Sequence, residues 1–365
     1  MVNIGIIGTG VGIRTYLYTF NQMENANVIA ISGSSKERAE EFAKECKIKL
    51  ACKDYKELID LKDIDLVCIT APNKYHYEYA KYCIEAGKNM ILEKPATLEI
   101  NQAYELNQLI KKSNRINIIN HQLRFNPYLA KVKEIIEQGT LGRLYYIKIH
   151  QQSTGFSDKN LQLTWKLEDK EGGGEILSMG SHLVDLVRFW LDKEVLTVQG
   201  NMDVVIPKRK SYDGTLKNVT ACSFFSSSIN FQDNITVNLS ATCSAIGKNE
   251  FNFSIYGEKG ELHFDLENKL IGYFLDNKGE EQIIPVDGVT KEENNNKISI
   301  FKGSFIYYAK QILSAVENND IELLKNASNI EDAIENQKIL DAIKKSAITG
   351  KMIELNKGYL CNAKG

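Results

Sequence analysis

Several protein classes are excluded by what this 365-residue sequence lacks. No apolar run approaches the roughly 18 residues that a membrane-spanning helix needs, so we expect no membrane partner. The 45 Lys and Arg nearly balance the 47 Asp and Glu, which gives a formal net charge of -2. A protein that binds by neutralising nucleic-acid phosphates carries an excess of positive charge, so we expect no nucleic-acid partner either.

The sequence also lacks clustered cysteines, and we expect it to have no export signal. Its 7 cysteines form no Cys-x-x-Cys pair and no Cys/His spacing typical of a zinc site, so we expect no bound metal. The chain begins with Val2 to Ile7, a β-branched strand pattern, where a leader would have a basic segment and then an apolar one. Reduced thiols and a cytoplasmic location are therefore expected.

What the sequence does contain is an alternation of strand-like and helix-like segments over its first third. Short β-branched or apolar runs predict the strands, and helical periodicity predicts the helices between them. The predicted strands cover residues 2–7, 27–32, 64–70, 89–92 and 116–120, and the predicted helices cover 13 to the early twenties, 36–46, 75–86 and 99–112. This alternation indicates an α/β fold with a doubly wound parallel sheet, in a first domain of residues 1–121.

The pattern changes after residue 121, which predicts a second α/β domain of residues 122–365. Predicted helices cover 127–138, 175–191, 301–318 and 330–349, and predicted strands cover 143–151, 195–206, 219–231, 235–244, 251–256, 261–266 and 272–275. Turns between consecutive strands predict a large, open, mostly antiparallel sheet. The polar segment 291–297 is expected to be an exposed loop.

A glycine-rich turn, Gly8-Thr9-Gly10-Val11-Gly12-Ile13, follows the first predicted strand. In a dinucleotide-binding turn, Gly8 would permit the tight bend and Gly10 would let main-chain N–H groups reach the pyrophosphate. Ile13 stands where a third Gly or Ala is usual, and we expect Gly12 to compensate by loosening the turn. The alternative is a glycine turn in a sheet of another kind, which the succession of strands and helices disfavours.

The end of the second predicted strand bears on which nucleotide is bound. An NAD site usually has a ribose-binding carboxylate there, whereas this chain has Ser32-Gly33-Ser34-Ser35-Lys36 followed by Glu37 and Arg38. Small hydroxyl side chains with Lys36 and Arg38 nearby would accept the 2′-phosphate that a carboxylate repels, so we favour NADP(H) over NAD(H). In the alternative, Ser34 and Glu37 form a capping box, and the two cations lie on a solvated helix face.

Three further motifs complete a pattern. They are Thr70-Ala71-Pro72-Asn73 followed by His76, then Glu93-Lys94-Pro95, then Gly172-Gly173-Gly174 leading to Gly180-Ser181-His182-Leu183-Val184-Asp185. In that order the chain resembles the Gfo/Idh/MocA family of glucose-fructose oxidoreductases and inositol dehydrogenases over nearly its whole length. The resemblance implies a Rossmann domain and an α/β domain whose open sheet often joins subunits, so we expect a homo-oligomer, dimer or tetramer, formed through the C-terminal sheet.

The resemblance also implies roles for individual side chains. Lys94 and His182 would lie beside the nicotinamide, with Lys94 bonding the substrate oxygen and the nicotinamide ribose, and His182 acting as general acid/base. The Thr70-Ala71-Pro72-Asn73 loop, His76 and Glu93 would border the cofactor, although His76 fits better as a helix cap or packing residue. In the alternatives, His182 is a partly buried structural histidine and Lys94 forms a surface ion pair with Glu93.

Further candidates for substrate contacts follow the Rossmann strands. Arg124, with His121 and Asn126, would line the pocket or fix a domain junction. Trp165 and Lys166 precede the triple glycine and are the other candidates.

One departure from the family pattern concerns residue 178. The family has an Asp four residues before the His, on the same helix face, and this chain has Ser178 there. Ser178 would contact the substrate, but it supplies no charge to stabilise an imidazolium. Asp185 lies three residues after His182, one turn too far along to be assumed a substitute.

These observations together favour an NAD(P)-dependent oxidoreductase. It would transfer a hydride between nicotinamide and a secondary hydroxyl or ketone of a sugar, cyclitol or similar small polyol, with an uncharged substrate favoured over a sugar nucleotide. The alternative is a non-catalytic dinucleotide-binding regulator or sensor on the same fold. Ser178 favours that alternative, and the intact Glu93-Lys94-Pro95 motif and His182 disfavour it.

Overall fold

Residues 1–264, 269–289 and 299–355 are described by a computed structural model, and the chain divides into two units. The first unit holds Met1–Asn126 with the described residues of Ile298–Ile334, and the second holds those of Pro127–Lys297 and Glu335–Gly365. The boundary predicted after residue 121 stays a prediction, to which the structure adds that the chain returns to the first unit. The loop predicted at 291–297 lies outside the described residues.

A six-stranded parallel sheet forms the middle of the first unit. Its strands are β1 (Val2–Ile7), β2 (Ala26–Ser32), β3 (Leu50–Cys52), β4 (Leu66–Ile69), β5 (Asn89–Leu92) and β6 (Asn117–Ile119). The strand order is β3-β2-β1-β4-β5-β6, which is that of the dinucleotide-binding Rossmann fold. Successive residues of β4 enter two separate apolar cores, Cys68 on one face and Val67 and Ile69 on the other. The predicted doubly wound fold is therefore confirmed.

Helices connect these strands and continue through the rest of the chain. Gly12–Leu17 forms a π-helical segment, and the α-helices are α1 (Tyr18–Phe20), α2 (Lys36–Cys46), α3 (Tyr55–Ile59), α4 (His76–Glu85), α5 (Ile100–Ile110), α6 (Pro127–Glu137), α7 (Ser181–Leu191), α8 (Ile300–Asn318) and α9 (Ile330–Thr349). Sequence periodicity missed β3 and α3, because elements of 3 and 5 residues are too short to show a period. Within the described ranges, no helix is long and apolar enough to span a bilayer.

The N-terminus of α2 differs from the capping box considered above. Ser35, in extended conformation with φ of -151°, is the N-cap, and its side chain accepts a hydrogen bond from the main-chain N of Arg38. The alternative that placed the cap at Ser34 is therefore wrong by one residue. The bond satisfies one of the N–H groups that have no partner inside the helix.

Helix α8 packs into one of the two apolar cores of the first unit, the one that also contains Cys68. Phe305 packs against Tyr16 with ring centroids 4.2 Å apart, and Tyr308 stacks on Phe125 at 4.0 Å. Phe305, Tyr308 and Ile312 are fully buried. The sequence predicts this helix but not the unit it joins, because an apolar period identifies a buried face without identifying what covers it.

A mixed sheet of nine strands dominates the described part of the second unit. Its strands are β7 (Leu144–Gln152), β8 (Val195–Asp203), β11 (Phe224–Phe231), β12 (Ile235–Thr242), β13 (Glu250–Gly257), β14 (Gly260–Phe264), β15 (Leu270–Phe274), β16 (Glu281–Ile283) and β17 (Ile353–Glu354), and a separate hairpin pairs β9 (Lys208–Lys210) with β10 (Leu216–Asn218). The order is β16-β15-β14-β13-β7-β12-β11-β8-β17. Strands β7 and β12 run parallel and the other neighbours antiparallel, which confirms the predicted mostly antiparallel sheet.

One predicted strand of this sheet begins later than expected. The strand predicted from residue 219 begins at Phe224. The main-chain N–H groups of Thr220 and Ala221 bond the carbonyl oxygen of Leu167 instead of a neighbouring strand. The chain before Phe224 is therefore bonded to the segment of Leu167 instead of extending the strand.

Helix α7 packs against the buried face of this sheet. Trp190 is 1% exposed, and its ring meets Phe253 of β13 edge to face at 5.1 Å. Its Nε1 donates a hydrogen bond to the carbonyl oxygen of Leu129 in α6 at 2.9 Å. One side chain thus joins two helices and the sheet, which fixes the position of the helix that carries His182.

Truncation of Trp190 tests this packing. We expect Trp190→Ala to lower the free energy of unfolding by about 3–5 kcal/mol, because it removes a buried aromatic ring and leaves a cavity. Urea denaturation followed by circular dichroism measures the change. Leu196→Ala, at an exposed position of β8, is the control, with an expected change within about 0.5 kcal/mol. Equal unfolding midpoints for the two variants would contradict the packing described.

Candidate active site

The glycine turn lies at the carboxyl end of β1 and is closely packed. Gly8 has φ of +116°, and a Cβ there would lie 2.7 Å from the carbonyl oxygen of Thr70. A Cβ on Gly12 would lie 2.6 Å from the Thr70 hydroxyl oxygen and 2.7 Å from Ile6 Cγ2. We expected Gly12 to loosen the turn. It instead allows the helix to pack closely on the sheet, which is the role of the third glycine in the usual dinucleotide-binding motif.

Gly10 differs from its two neighbours. It is exposed, and a Cβ there would meet nothing within 4 Å. The turn therefore has open space where main-chain N–H groups could face a ligand. These residues fit the pyrophosphate of a dinucleotide, which needs a tight turn, close backbone approach and the start of a helix.

The predicted nucleotide-selecting segment meets the glycine turn through Arg38. The exposed Arg38 side chain donates from Nε to the Thr9 hydroxyl oxygen at 3.0 Å, and its guanidinium lies 5.4 Å from the centre of the Phe42 ring. Lys36 instead lies 3.6 Å from Glu40 in a pair that is more than half exposed, which contributes little. Of the two cations, Arg38 is the one placed beside the glycine turn.

His76 joins two of the predicted loops. It is fully buried, with Nδ1 2.7 Å from the carbonyl oxygen of Pro95 and Nε2 2.9 Å from that of Ala71. Burial lowers its pKa, and the carbonyl contacts and the charge of Glu93 only partly oppose that effect. A neutral imidazole has one N–H, so His76 hydrogen-bonds one of these two carbonyl oxygens and packs against the other, which agrees with its expected structural role.

Glu93 and Pro95, on either side of Lys94, are both held. Glu93 Oε1 accepts hydrogen bonds from the Tyr16 hydroxyl at 2.8 Å and from Asn120 Nδ2 at 2.7 Å. Pro95 follows a cis peptide bond and is buried, and its carbonyl faces His76. Lys94 itself is half-buried at the carboxyl end of β5. The sequence did not single out Tyr16 or Asn120, which read as ordinary helix and strand residues.

Two of the residues after β6 are bound to other parts of the first unit. Arg124 is 6% exposed and pairs with Asp332 at 3.1 Å between Nη1 and Oδ2. His121 Nδ1 lies 2.9 Å from the hydroxyl oxygen of Ser328. Both contacts lie within the first unit, so they do not test the alternative that these residues fix a domain junction. Substrate binding by Arg124 stays a prediction.

In the second unit, the triple glycine packs on the segment that carries Trp165 and Lys166. A Cβ on Gly173 would collide with the carbonyl oxygen of Lys166, and Gly174 donates its main-chain N–H to the same oxygen at 3.0 Å. Gly174 has φ of +103°, which favours glycine. The packing brings Trp165 and Lys166 to the start of the helical segment that leads to His182.

That helical segment begins with a π-helical turn, Ile176–Gly180, and continues as α7. Ser178 is exposed, whereas His182 is 4% exposed. The expectation that residues 178 and 182 share a helix face assumed 3.6 residues per turn, and the wider π turn changes the rotation between them. Ser178 and His182 therefore have different surroundings.

Asp185 belongs to a hydrogen-bond network between α7 and α9. It is 1% exposed and accepts from Asn336 Nδ2 at 3.0 Å, and Asn336 Oδ1 accepts from Arg188 Nη1 at 2.8 Å. Asp185 is thus engaged in joining α7 to α9.

Comparison with known proteins agrees with this architecture. The Gfo/Idh/MocA model described as an oxidoreductase family with an NAD-binding Rossmann fold matches residues 2–121. Its companion, the C-terminal alpha/beta domain of the same oxidoreductase family, matches residues 133–355.

Individual relatives are more distant. An uncharacterized oxidoreductase of Synechocystis is 29% identical over 73% of this chain and 72% of its own length. Levoglucosan dehydrogenase of Pseudarthrobacter phenanthrenivorans is 25% identical over 73% of this chain and 74% of its own. The solved structure of a levoglucosan dehydrogenase in complex with NADH and L-sorbose has a TM-score of 0.85, with 22% identity over 97% of this chain and 99% of that one. That last likeness shows the shared fold.

The burial of His76 predicts a pH-dependent stability. The unfolded chain protonates this ring at a higher pH than the folded protein does, so the free energy of unfolding falls as the pH drops below about 6.5. We expect His76→Asn to lose less stability than wild type between about pH 7 and pH 5, by up to about 1.4 kcal/mol per pH unit. Urea midpoints across that range measure it, with His150→Asn, on the half-exposed sheet face, as control. Parallel pH profiles for wild type and His76→Asn would refute the expectation.

Proposed function

The chain belongs to the Gfo/Idh/MocA oxidoreductase family, whose first domain is an NAD-binding Rossmann fold, and from this premise we propose that it is a sugar or polyol dehydrogenase. It would transfer a hydride between nicotinamide and a secondary hydroxyl or ketone of a sugar, cyclitol or similar small polyol. The observation that carries the proposal is Lys94, half-buried at the carboxyl end of β5 between two fixed residues. The glycine turn lies at the same edge of the sheet, where ligands of this fold bind.

The substrate class rests on relatives. One relative is named levoglucosan dehydrogenase and another, from Thermotoga maritima, myo-inositol 2-dehydrogenase. Both names denote neutral polyhydroxylated rings. Such a substrate offers several hydroxyls to polar side chains and needs no cluster of cations, which suits the balanced net charge of this chain. Arg124, Trp165 and Ser178 are the proposed further substrate contacts.

Two side chains would carry out the proton chemistry. When bound, the nicotinamide cofactor supplies the hydride acceptor or donor. The Lys94 ammonium donates a hydrogen bond to the substrate oxygen and stabilises negative charge there. The His182 imidazole takes the hydroxyl proton during oxidation and returns it during reduction. Because Ser178 lacks a charge, His182 has no carboxylate from that position to stabilise its protonated form.

We propose NADP(H) as the preferred cofactor. Gly8-Thr9-Gly10-Val11-Gly12-Ile13 would hold the pyrophosphate, and the loop Thr70-Ala71-Pro72-Asn73 with Glu93 would border the nicotinamide half. Arg38 supports NADP(H), because its guanidinium, held beside Thr9, could pair with a 2′-phosphate. Ser32, Gly33 and Ser34 introduce no carboxylate that would repel this group.

We also propose a homo-oligomer and a cytoplasmic location. One face of the nine-stranded sheet has half-exposed polar side chains, such as Thr236, Asn238 and Ser240 of β12. This face would form the contact of a dimer or tetramer. The cysteines in the described ranges are free thiols, which suits a reducing compartment.

Turnover tests the enzymatic proposal. We expect wild type to reduce NADP+ with at least one sugar or cyclitol of a panel, followed by absorbance of the reduced nicotinamide. Lys94→Ala should lower kcat/KM by about 10²–10³-fold, because a donor to the reacting oxygen is lost. His182→Ala should lower it by about 10²–10⁴-fold.

Lys111→Ala, which removes an exposed lysine of the same unit, is the matched control and should keep wild-type activity. The protein could instead bind NADPH tightly and show no turnover that is lost in Lys94→Ala. That result would support a non-catalytic regulator or sensor, the alternative that Ser178 favours.

The cofactor preference has its own test. Arg38→Ala should raise the Kd of NADPH by about 10–100-fold, because it removes a charge-assisted hydrogen bond to phosphate, and should leave the Kd of NADH nearly unchanged. Titration followed by nicotinamide fluorescence measures both constants. Lys44→Ala, at the other end of α2, controls for loss of a positive charge. Tighter binding of NADH than of NADPH by wild type would overturn the preference.

A further inference from the structure

A buried hydrogen-bond network joins the helical segment after the glycine turn to the residue before Lys94. Tyr16, in the π-helical segment Gly12–Leu17, donates its hydroxyl to Glu93 Oε1 at 2.8 Å. Asn120, directly after β6, donates from Nδ2 to the same oxygen at 2.7 Å. Tyr16 and Asn120 are both 0% exposed. Two donors on one carboxylate oxygen restrict Glu93 to a single arrangement.

The Tyr16 donor is itself rigid. The centroid of its ring lies 4.2 Å from that of the Phe305 ring and 6.3 Å from that of the Phe20 ring. Burial, and then the negative charge of Glu93, raise the pKa of the Tyr16 hydroxyl, so it keeps its proton and remains a donor. The position of this hydroxyl is therefore set by the helical segment that follows the glycine turn.

The Asn120 donor is fixed from the main chain. The Asn120 N–H donates to the carbonyl oxygen of Leu92 at 2.8 Å, and the Glu93 N–H donates to that of Ile69 at 3.0 Å. Because a carboxylate can only accept, the nitrogen of the Asn120 amide must face Glu93. The ends of β4, β5 and β6 are thus joined around Glu93.

Lys94 lies between Glu93 and Pro95, and Pro95 is tied by its carbonyl oxygen to the buried His76. With both neighbours held, the main chain of residue 94 has little freedom, which fixes the point from which the Lys94 side chain extends. Misplacement of a reacting group by about 1 Å can cost about 10²-fold in rate, so such restraint matters for turnover.

We propose that Tyr16 and Asn120 are positioning residues that act through Glu93 to orient Lys94, and that they couple the pyrophosphate-binding turn to the position of this lysine. The inference rests on the proposed function for the role of Lys94. Because both residues are 0% exposed, we expect neither to touch the substrate, so loss of either should lower kcat much more than it changes KM.

Two measurements test the network. One is steady-state kinetics, and the other is the rate at which acetic anhydride acetylates Lys94 in the cofactor-free protein, followed by mass spectrometry. We expect Tyr16→Phe and Asn120→Ala each to lower kcat by about 10-fold or more, with KM within about twofold. Each should raise the acetylation rate of Lys94 by at least about threefold, because the loosened loop opens more often to solvent.

The double variant separates a shared network from two independent sites. Since both donors act on one oxygen, Tyr16→Phe combined with Asn120→Ala should lower kcat by less than the product of the single effects. Tyr82→Phe, which removes a hydroxyl bonded to the exposed Asp60, should change neither Lys94 acetylation nor kcat. Circular dichroism and unfolding midpoints identify variants that fail to fold, and Asn120→Ser then provides a milder change at the same oxygen.

The outcomes distinguish this inference from the proposed function. Unchanged Lys94 acetylation and unchanged kcat in folded Tyr16→Phe and Asn120→Ser would overturn the network's role. Absence of turnover by wild type with every polyol would overturn the proposed function. In that case acetylation of Lys94 alone would still show whether Tyr16 and Asn120 hold the lysine.

Discussion

The close approach of main chains at Gly8 and Gly12 is the constraint on which the first unit's candidate site depends. Because neither residue has a Cβ, β1 can turn directly over Thr70 at the end of β4, and the next helical segment can begin against the sheet. The point at which the helical segment begins determines how the segment is rotated about its own axis, and this rotation places the Tyr16 hydroxyl against Glu93. The same two glycines therefore set the shape of the glycine turn and, through the Tyr16 hydroxyl, the surroundings of Glu93, the residue before Lys94.

Much of the fold could be predicted because local patterns specify it. The bounds predicted for Lys36–Cys46 are those observed, since helical period and polar start coincide there. The glycine turn, the loop after Thr70 and Glu93-Lys94-Pro95 each follow a parallel strand, and parallel strands end at one edge. The bonds of Glu93 to residues 77 and 27 positions away could not be predicted, because such distant pairs leave no local period.

The helix that carries His182 is predicted correctly, but the prediction that residues 178 and 182 share one of its faces is wrong. Helical periodicity over residues 175–191 predicts the segment, and the structure has helix there. A spacing of four gives one shared face only while the turn stays α-helical. The π-helical turn over Ile176–Gly180 changes that rotation, and no residue type in the sequence marks such a turn. Burial and exposure at positions 178 and 182 therefore had to come from the structure.

The position of α8 in the sequence has a consequence for biosynthesis. The first unit is contiguous in space but interrupted along the chain, because Phe305 and Tyr308 follow β7 to β16. A nascent chain emerges from its N-terminus, so Tyr16 and Phe125 leave the ribosome long before the rings that cover them. The second unit's strands up to β16 are available before the first unit can complete its core. The second unit is interrupted as well, because β17 follows α8 in the chain, so neither unit can complete its fold before Phe305 and Tyr308 have been synthesised.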